Sequence, residues 1–275
     1  MALSLVAGTL FYGFYGKNAM SQAQNWQLSF PDPVTPIAKM QLDFHNNWLL
    51  PIVFGVSIFV LLLLVYTCWR FSAKNNPTPS KTTHNVKLEV IWTAIPALIL
   101  VVLAFPSMKI LFATDDFSNT EMTLKVTGYQ WYWNYEYPDH GGFSFDAYLE
   151  ARTQEEAEEL GVLRLMDTDH AVVLPVDTNI RLQIISGDVL HSWAVSAFGV
   201  RMDAVPGRLN EVPVKIEKTG RYYGFCSELC GIDHAYMPIM VDVVSKEAFA
   251  QWVKDAQAEF ASHSQDRNIE LAKIQ

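Results

Sequence analysis

The sequence contains few cysteines and few charged residues for its length. Three cysteines in 275 residues exclude a scaffold held together by many disulfides. Lysine and arginine number 20 against 29 acidic residues, which gives a net charge of −9. Proteins that bind nucleic acid carry a basic surface instead, so no nucleic-acid partner is expected. With 50% hydrophobic and 18% charged residues, the chain is too apolar for a disordered protein and weakly charged for a fully soluble one.

The charges are distributed unevenly along the chain. Residues 1–112 carry a net charge of +4, whereas residues 113–275 carry a net charge of −13. A hydrophobic, slightly basic N-terminal part is therefore followed by a strongly acidic C-terminal part.

Two long uncharged segments predict membrane-spanning helices. Residues 48–69 and residues 90–108 contain no charged side chain, and a spanning helix needs about 20 predominantly apolar residues. The alternative is a pair of buried core helices, but nothing else in the chain is apolar enough to surround them. We predict transmembrane helix 1 over residues 48–69 and transmembrane helix 2 over residues 89–112.

The loop between the two predicted spans, residues 70–88, is basic. It contains no acidic residue and four basic ones: Arg70, Lys74, Lys81 and Lys87. Short basic loops remain on the cytoplasmic side, so residues 24–47 and the chain after residue 112 are expected to face outward. The acidic part is then periplasmic at a bacterial inner membrane, or on the equivalent face of the mitochondrial inner membrane.

The first 23 residues resemble a secretory signal peptide. An apolar run at residues 3–14 precedes a small-residue pattern at Ser21 and Ala23, which predicts cleavage near Ala23. No lysine or arginine precedes the apolar run. An uncleaved N-terminal segment lying at the membrane is therefore the alternative.

The pattern changes after Ala113 to short β-branched and aromatic runs. They are separated by turn-forming residues, for example at 138–139, 187–188 and 206–207. Apolar and polar side chains alternate over residues 180–184, which is typical of a strand with one buried face. The sequence predicts strands at 122–126, 131–137, 171–174, 180–186, 193–195, 212–216 and 222–225. We therefore expect an all-β sandwich or Greek-key barrel over residues 113–245.

Two segments of the acidic part are predicted to be helical. Residues 153–160 are rich in glutamate and indicate a short, solvated acidic helix within an insertion. Residues 246–275 form a helical tail in which Phe249, Trp252, Val253 and Ala256 recur at helical spacing. That spacing predicts that one face of the tail packs against the β domain.

The densest group of metal-binding side chains lies in residues 226–237. Cys226, Cys230, His234 and Met237 place two thiols, an imidazole and a thioether within this segment. Soft thiolate and thioether ligands select copper, whereas magnesium and calcium prefer oxygen ligands and iron–sulfur clusters need more cysteines. Zinc accepts two cysteines and two histidines, but it gives no role to Met237.

A second metal ion is the economical explanation for the second thiol. A mononuclear blue-copper site needs one cysteine, so we expect both sulfurs to bridge a pair of metal ions. A bridged pair needs a second imidazole, for which His191 is the candidate. Taken one by one, these residues have structural alternatives: a core methionine, a structural histidine and a Cys226–Cys230 disulfide.

These motifs resemble subunit II of cytochrome c oxidase. The shared patterns are Cys-Ser-Glu-Leu-Cys-Gly-x-x-His-x-x-Met, Asp-Val-Leu-His-Ser-Trp and Gln-Trp-Tyr-Trp, and the resemblance extends from Trp48 to the C-terminal tail. It implies a cupredoxin-like Greek-key barrel that holds a dinuclear copper centre, Cu-A. The ligands implied are the bridging thiolates of Cys226 and Cys230, the imidazoles of His191 and His234, the thioether of Met237 and the backbone carbonyl of Glu228.

The resemblance also implies roles outside the copper site. Trp131 stands where the family has the aromatic residue that receives the electron from cytochrome c. Glu89 stands at the mouth of a proton path into subunit I, and the Glu228 side chain reaches a magnesium or manganese ion at the subunit I boundary. The implied docking patch for cytochrome c contains four carboxylates: Glu136, Asp139, Asp169 and Asp188.

Together, the patterns and the resemblance predict the electron-input subunit of a respiratory haem–copper oxidase. The chain is expected to take electrons from cytochrome c and to pass them to haem in subunit I, with subunit III as a further partner. Oxygen is then reduced to water and protons are translocated. The alternatives are a quinol oxidase subunit II, which lacks the copper ligands, a nitrous oxide reductase, a copper chaperone and a structural disulfide module.

Overall fold

The computed structural model describes residues 29–274, with side chains as far as Phe260. The chain divides into two compact units, one of residues 40–113 and one of the residues up to Lys39 together with those from Thr114 onward. The predicted signal peptide, residues 1–23, lies outside the described residues.

Two long apolar helices account for most of the smaller unit. The first, α1, is continuous over Pro36–Arg70 and contains a π-helical turn at His45–Leu49; the second, α2, spans Val86–Ala113. Neither has a buried residue in its most apolar window. Helices that are apolar all round belong either in a protein core or in a membrane, and these are not in a core. The prediction of two transmembrane helices is confirmed, and α1 begins at Pro36, upstream of the predicted start at Trp48.

Among the described residues, ten strands form two five-stranded sheets in the larger unit. Their bounds are β1 Met122–Tyr129, β2 Tyr132–Tyr137, β3 Phe143–Ala147, β4 Val172–Pro175, β5 Asn179–Ser186, β6 His191–Val195, β7 Val200–Ala204, β8 Asn210–Lys215, β9 Gly220–Cys226 and β10 Pro238–Val244. The first sheet has the order β3-β2-β1-β5-β8 and the second the order β4-β10-β9-β6-β7. The β1–β5 and β4–β10 pairs are parallel, and the other pairs are antiparallel.

Apolar side chains of the two sheets share one core. Along β5, Ile180, Leu182 and Ile184 are buried while the residues between them are partly exposed, as the alternation predicts. Trp133 and Trp193 are fully buried in the same core. The predicted fold class, a two-helix membrane part followed by an all-β cupredoxin-like domain, is confirmed.

Two helices complete the β domain and confirm the helical predictions. The helix α3 covers Gln154–Leu160 and begins with a capping box, in which Thr153 and Glu156 exchange side chain–backbone hydrogen bonds. The helix α4 covers Lys246–Ile274 and packs against β3 and β4. Among the side chains of α4 up to residue 260, those of Phe249, Val253, Ala256 and Phe260 are buried.

Candidate metal centre

Strand ends at one edge of the second sheet bring the predicted metal ligands together. His191 is the first residue of β6, Cys226 is the last residue of β9, and Met237 directly precedes β10. Because β9 runs antiparallel to both β6 and β10, these three ends meet at the same edge. The connection between β9 and β10 adds Cys230 and His234.

Two thiols and two imidazoles form the centre of this cluster. The Sγ atoms of Cys226 and Cys230 are 3.9 Å apart. His191 Nδ1 lies 3.9 Å from Cys226 Sγ, and His234 Nδ1 lies 3.5 Å from Cys230 Sγ. A disulfide bond would require the two sulfurs to be about 2.0 Å apart, so Cys226 and Cys230 are free thiols here.

Two weaker donors extend the cluster. Met237 Sδ lies 3.6 Å from Cys230 Sγ, and the backbone oxygen of Glu228 lies 3.3 Å from Cys226 Sγ. Thiols, imidazoles and a thioether are ligands that copper accepts readily, and the set includes no carboxylate oxygen of the kind that magnesium or calcium prefers. The chemistry of the donors therefore fits copper.

Burial and mutual contact determine the charge of the two thiols. Cys226 and Cys230 are each 4% exposed. Burial alone would raise the pKa of Cys226, but hydrogen bonds with His191 and with the backbone lower it overall. Burial, and then the charge of Cys226, raise the pKa of Cys230 to about 12. Two neighbouring thiolates therefore need bound cations to balance their charge.

Asp188 orients the fully buried imidazole of His191. Asp188 Oδ1 lies 2.8 Å from His191 Nε2, so that Nδ1 is the ring nitrogen directed at Cys226. Metal-binding histidines commonly donate their second ring N–H to a carboxylate in this way. From the sequence we expected Asp188 only in the docking patch; its spacing of three residues from His191 is the signal for this second role.

The turn between β1 and β2 places Trp131 against the loop that connects β9 and β10 and carries Cys230 and His234. Gln130 Nε2 and Trp131 Nε1 both donate to the backbone oxygen of Cys230, at 2.9 and 3.2 Å. Gly231 has a φ of +124°, and a Cβ atom there would lie 3.0 Å from the Trp131 ring. The partly exposed indole is therefore in contact with the loop that carries the ligands. Gln130 was not among the site residues predicted from the sequence, although it is the neighbour of Trp131.

The remaining predicted site residues belong to other segments of the chain. Glu136 is in the middle of β2, and Asp169 accepts a hydrogen bond from the Tyr148 amide. Asp139 accepts one from the amide at the start of β1, roughly 20 Å from the Trp131 turn at the usual rise per strand residue. Glu89 is in the first turn of α2, in the other unit.

Gly128 leaves the space that the imidazole of His191 occupies, which leads to a prediction. A Cβ atom at residue 128 would lie 3.0 Å from Cδ2 and Cγ of His191. We expect Gly128→Ala to displace the ring and to weaken copper retention about 10-fold, as perturbed ligand orientation does at other metal sites. Copper per chain after dialysis against a chelator is the measurement.

The control for Gly128→Ala is Gly55→Ala, because an added methyl group at Gly55 meets no atom within 4 Å. Gly55→Ala should retain copper like the unmodified chain. Equal retention by the two variants would show that the space at Gly128 does not determine the position of His191.

Comparisons with known proteins identify the relatives of this chain. Residues 122–244 match the family model "Cytochrome C oxidase subunit II, periplasmic domain", and residues 23–110 match "Cytochrome C oxidase subunit II, transmembrane domain". "Probable cytochrome c oxidase subunit 2" of Rickettsia conorii is 47% identical over 85% of this chain and 73% of its own length. "Cytochrome c oxidase subunit 2" of Oenothera berteroana is 43% identical over 85% of this chain and 91% of its own. A crystal structure of the periplasmic domain of cytochrome oxidase subunit II of Bradyrhizobium japonicum is 47% identical, with a TM-score of 0.48, and covers 53% of this chain and 99% of that one.

Proposed function

This chain belongs to the cytochrome c oxidase subunit II family, and from that premise we propose that it is the electron-input subunit of a respiratory oxidase. It accepts electrons from cytochrome c at a dinuclear copper site, Cu-A, and passes them to haem in subunit I, where oxygen is reduced to water and protons are translocated. The observation that carries the proposal is the convergence of all the expected donors at one edge of the second sheet. When bound, a pair of copper ions held by Cys226, Cys230, His191 and His234 would supply the chemistry of one-electron transfer.

The residues of the chain would hold the metal ions in a fixed arrangement, in which most of the donor side chains are buried. His191 and Cys226 lie at strand ends, and the contact with Asp188 fixes the orientation of the imidazole. Rigid ligands keep the rearrangement on electron uptake small. The residues that would hold the copper ions are Cys226 and Cys230 through their thiolates, His191 and His234 through Nδ1, Met237 through its sulfur and Glu228 through its backbone oxygen.

Trp131 provides the route from the protein surface to the ligands. Its indole N–H is hydrogen-bonded to the backbone oxygen of Cys230, so a donor that docks over the exposed part of the ring is one hydrogen bond away from a ligand residue. The net charge of −13 on residues 113–275 attracts a lysine-rich donor, and this attraction weakens with salt. Glu136, Asp139 and Asp169 contribute to the negative field, whereas Asp188 serves His191 as well.

The membrane part anchors the domain and sets its orientation. We place the basic loop between α1 and α2 on the cytoplasmic side and the β domain in the periplasm of a bacterium; in a mitochondrion the equivalent faces apply. Subunit I and subunit III are the proposed partners in the bilayer. Glu89, at the start of α2, lies at the mouth of a proton path, and the Glu228 side chain reaches a magnesium or manganese ion at the subunit I boundary.

Copper content and electron paramagnetic resonance of the full chain, purified in detergent and loaded with copper, test the proposed function. We expect two copper ions per chain and a hyperfine pattern richer than one copper nucleus can produce. One copper with a single-nucleus pattern would indicate a mononuclear site and contradict the dinuclear assignment. A chain that retains no copper would contradict the electron-input role itself.

A further inference from the structure

We propose that Arg152 is a positioning residue for His234, an inference that rests on the proposed copper site. The short 3₁₀ turn His234–Tyr236 carries one of the ligands and leads directly into another, Met237. His234 is partly exposed, whereas Cys226, Cys230 and His191 are buried. The least enclosed of the proposed ligand side chains is therefore carried by a single turn outside the sheet, and this turn needs support from elsewhere in the fold.

The guanidinium of Arg152 contacts both ends of this turn. Its Nη1 and Nη2 atoms donate to Oδ1 and Oδ2 of Asp233, at 3.3 and 2.9 Å, a two-point contact of fixed geometry. Its Cζ atom lies 4.8 Å from the centre of the Tyr236 ring, in a cation–π contact. Since Asp233 and Tyr236 flank His234, these contacts fix the backbone from which the imidazole reaches Cys230.

The insertion that contains α3 holds the backbone of Arg152 in place. The amide of Arg152 donates to Glu156 Oε2 at 2.8 Å, next to the capping box of α3, and its carbonyl accepts from Arg164 Nε at 3.0 Å. The side chain therefore projects from a constrained point, although it lies on the surface. From the sequence, the acidic helix α3 was expected to be a solvated surface element. Through Arg152, it also supports the loop between β9 and β10 that carries the proposed ligands.

The expected effect is local rather than global. The side chains of Arg152 and Asp233 are 56% and 23% exposed, and ion pairs at this exposure contribute little to the free energy of unfolding. Contacts that orient a metal ligand, in contrast, typically change metal affinity by about 10–100-fold when they are removed. Copper retention should therefore respond to Arg152 while the melting temperature does not.

The test compares Arg152→Gln, Arg152→Lys and a matched control in the full chain, purified in detergent and loaded with copper. The control is Arg181→Gln, because Arg181 on β5 also pairs with a carboxylate, Glu211 at 3.6 Å, and also lies over an aromatic ring at 5.1 Å. We expect Arg152→Gln to release copper to a chelator about 10-fold faster than the unmodified chain, with an altered hyperfine pattern. Arg152→Lys should be intermediate, because it keeps the charge but loses the planar two-point contact.

Copper release at the same rate from Arg152→Gln and Arg181→Gln would overturn the role of Arg152 and leave the proposed function standing. A second readout does not depend on metal: amide hydrogen exchange of residues 231–237 in the metal-free chain, which should be faster in Arg152→Gln than in Arg181→Gln. If the unmodified chain held no copper pair, the proposed function would fail and exchange alone would decide on Arg152. Unchanged exchange would then overturn the positioning role as well.

Discussion

Replacing Cys226 with serine is expected to abolish the proposed copper pair. On the proposed function it should also slow the oxidation of cytochrome c by the oxidase complex at least ~100-fold, because the loss of contacts more distant from a metal already costs up to that much. Cys226 Sγ lies within 3.9 Å of Cys230 Sγ, His191 Nδ1 and the backbone oxygen of Glu228. A serine hydroxyl is a harder ligand, stays protonated near neutral pH and is a poor bridge between coppers. The change therefore removes an atom that lies close to three of the five other donor atoms.

Cys68→Ser is the matched control, because it makes the same chemical change at a third cysteine. Cys68 is exposed on α1, in the other unit. Copper content and the steady-state rate with cytochrome c should match the unmodified complex in Cys68→Ser and collapse in Cys226→Ser. A Cys226→Ser complex that oxidises cytochrome c at the normal rate would refute the electron-input role.

The candidate ligands stand out in the sequence because most of them lie in one short segment. Four candidate ligand side chains and the backbone oxygen of Glu228 fall within residues 226–237, so their donor chemistry is visible without a fold. The residues that support them are not local: Arg152 reaches Asp233 across 81 positions, and Gln130 reaches Cys230 across 100. Only the folded chain brings such pairs together.

A strand could be predicted from the sequence where apolar and polar residues alternate, because such a strand has one buried and one exposed face. The strand β5 alternates and was found, whereas β10 is buried along its whole length and has no alternation to mark it. The strands β3 and β7 were also missed, although β4 and β6, which are no longer than these two, were found. The parallel pairing of β1 with β5 joins segments more than fifty positions apart, which no local pattern specifies.

Trp133→Ala is the second change with a large expected effect, a loss of about 3–5 kcal/mol in the free energy of unfolding of the β domain. Trp133 is fully buried, so its removal leaves a large cavity. Its indole N–H also donates to the backbone oxygen of Met237 at 3.2 Å, and its ring meets the His191 ring edge-on at 5.9 Å. The same side chain thus links the core to two proposed ligands. Denaturant unfolding of the full chain, followed by circular dichroism, measures the loss.

Two milder substitutions separate the effect on the core from the effect on the site. Trp133→Phe and Trp193→Phe each keep a buried ring and each lose one indole hydrogen bond, to the Met237 backbone and to Tyr135 Oη respectively. Both should lower the free energy of unfolding by about 1–3 kcal/mol, as expected for a buried polar partner left unpaired and a partly filled cavity. Only Trp133→Phe should also speed copper release to a chelator, because only its bond holds the segment that carries Met237. If the two variants release copper at the same rate, Trp133 stabilises the core without positioning the ligand.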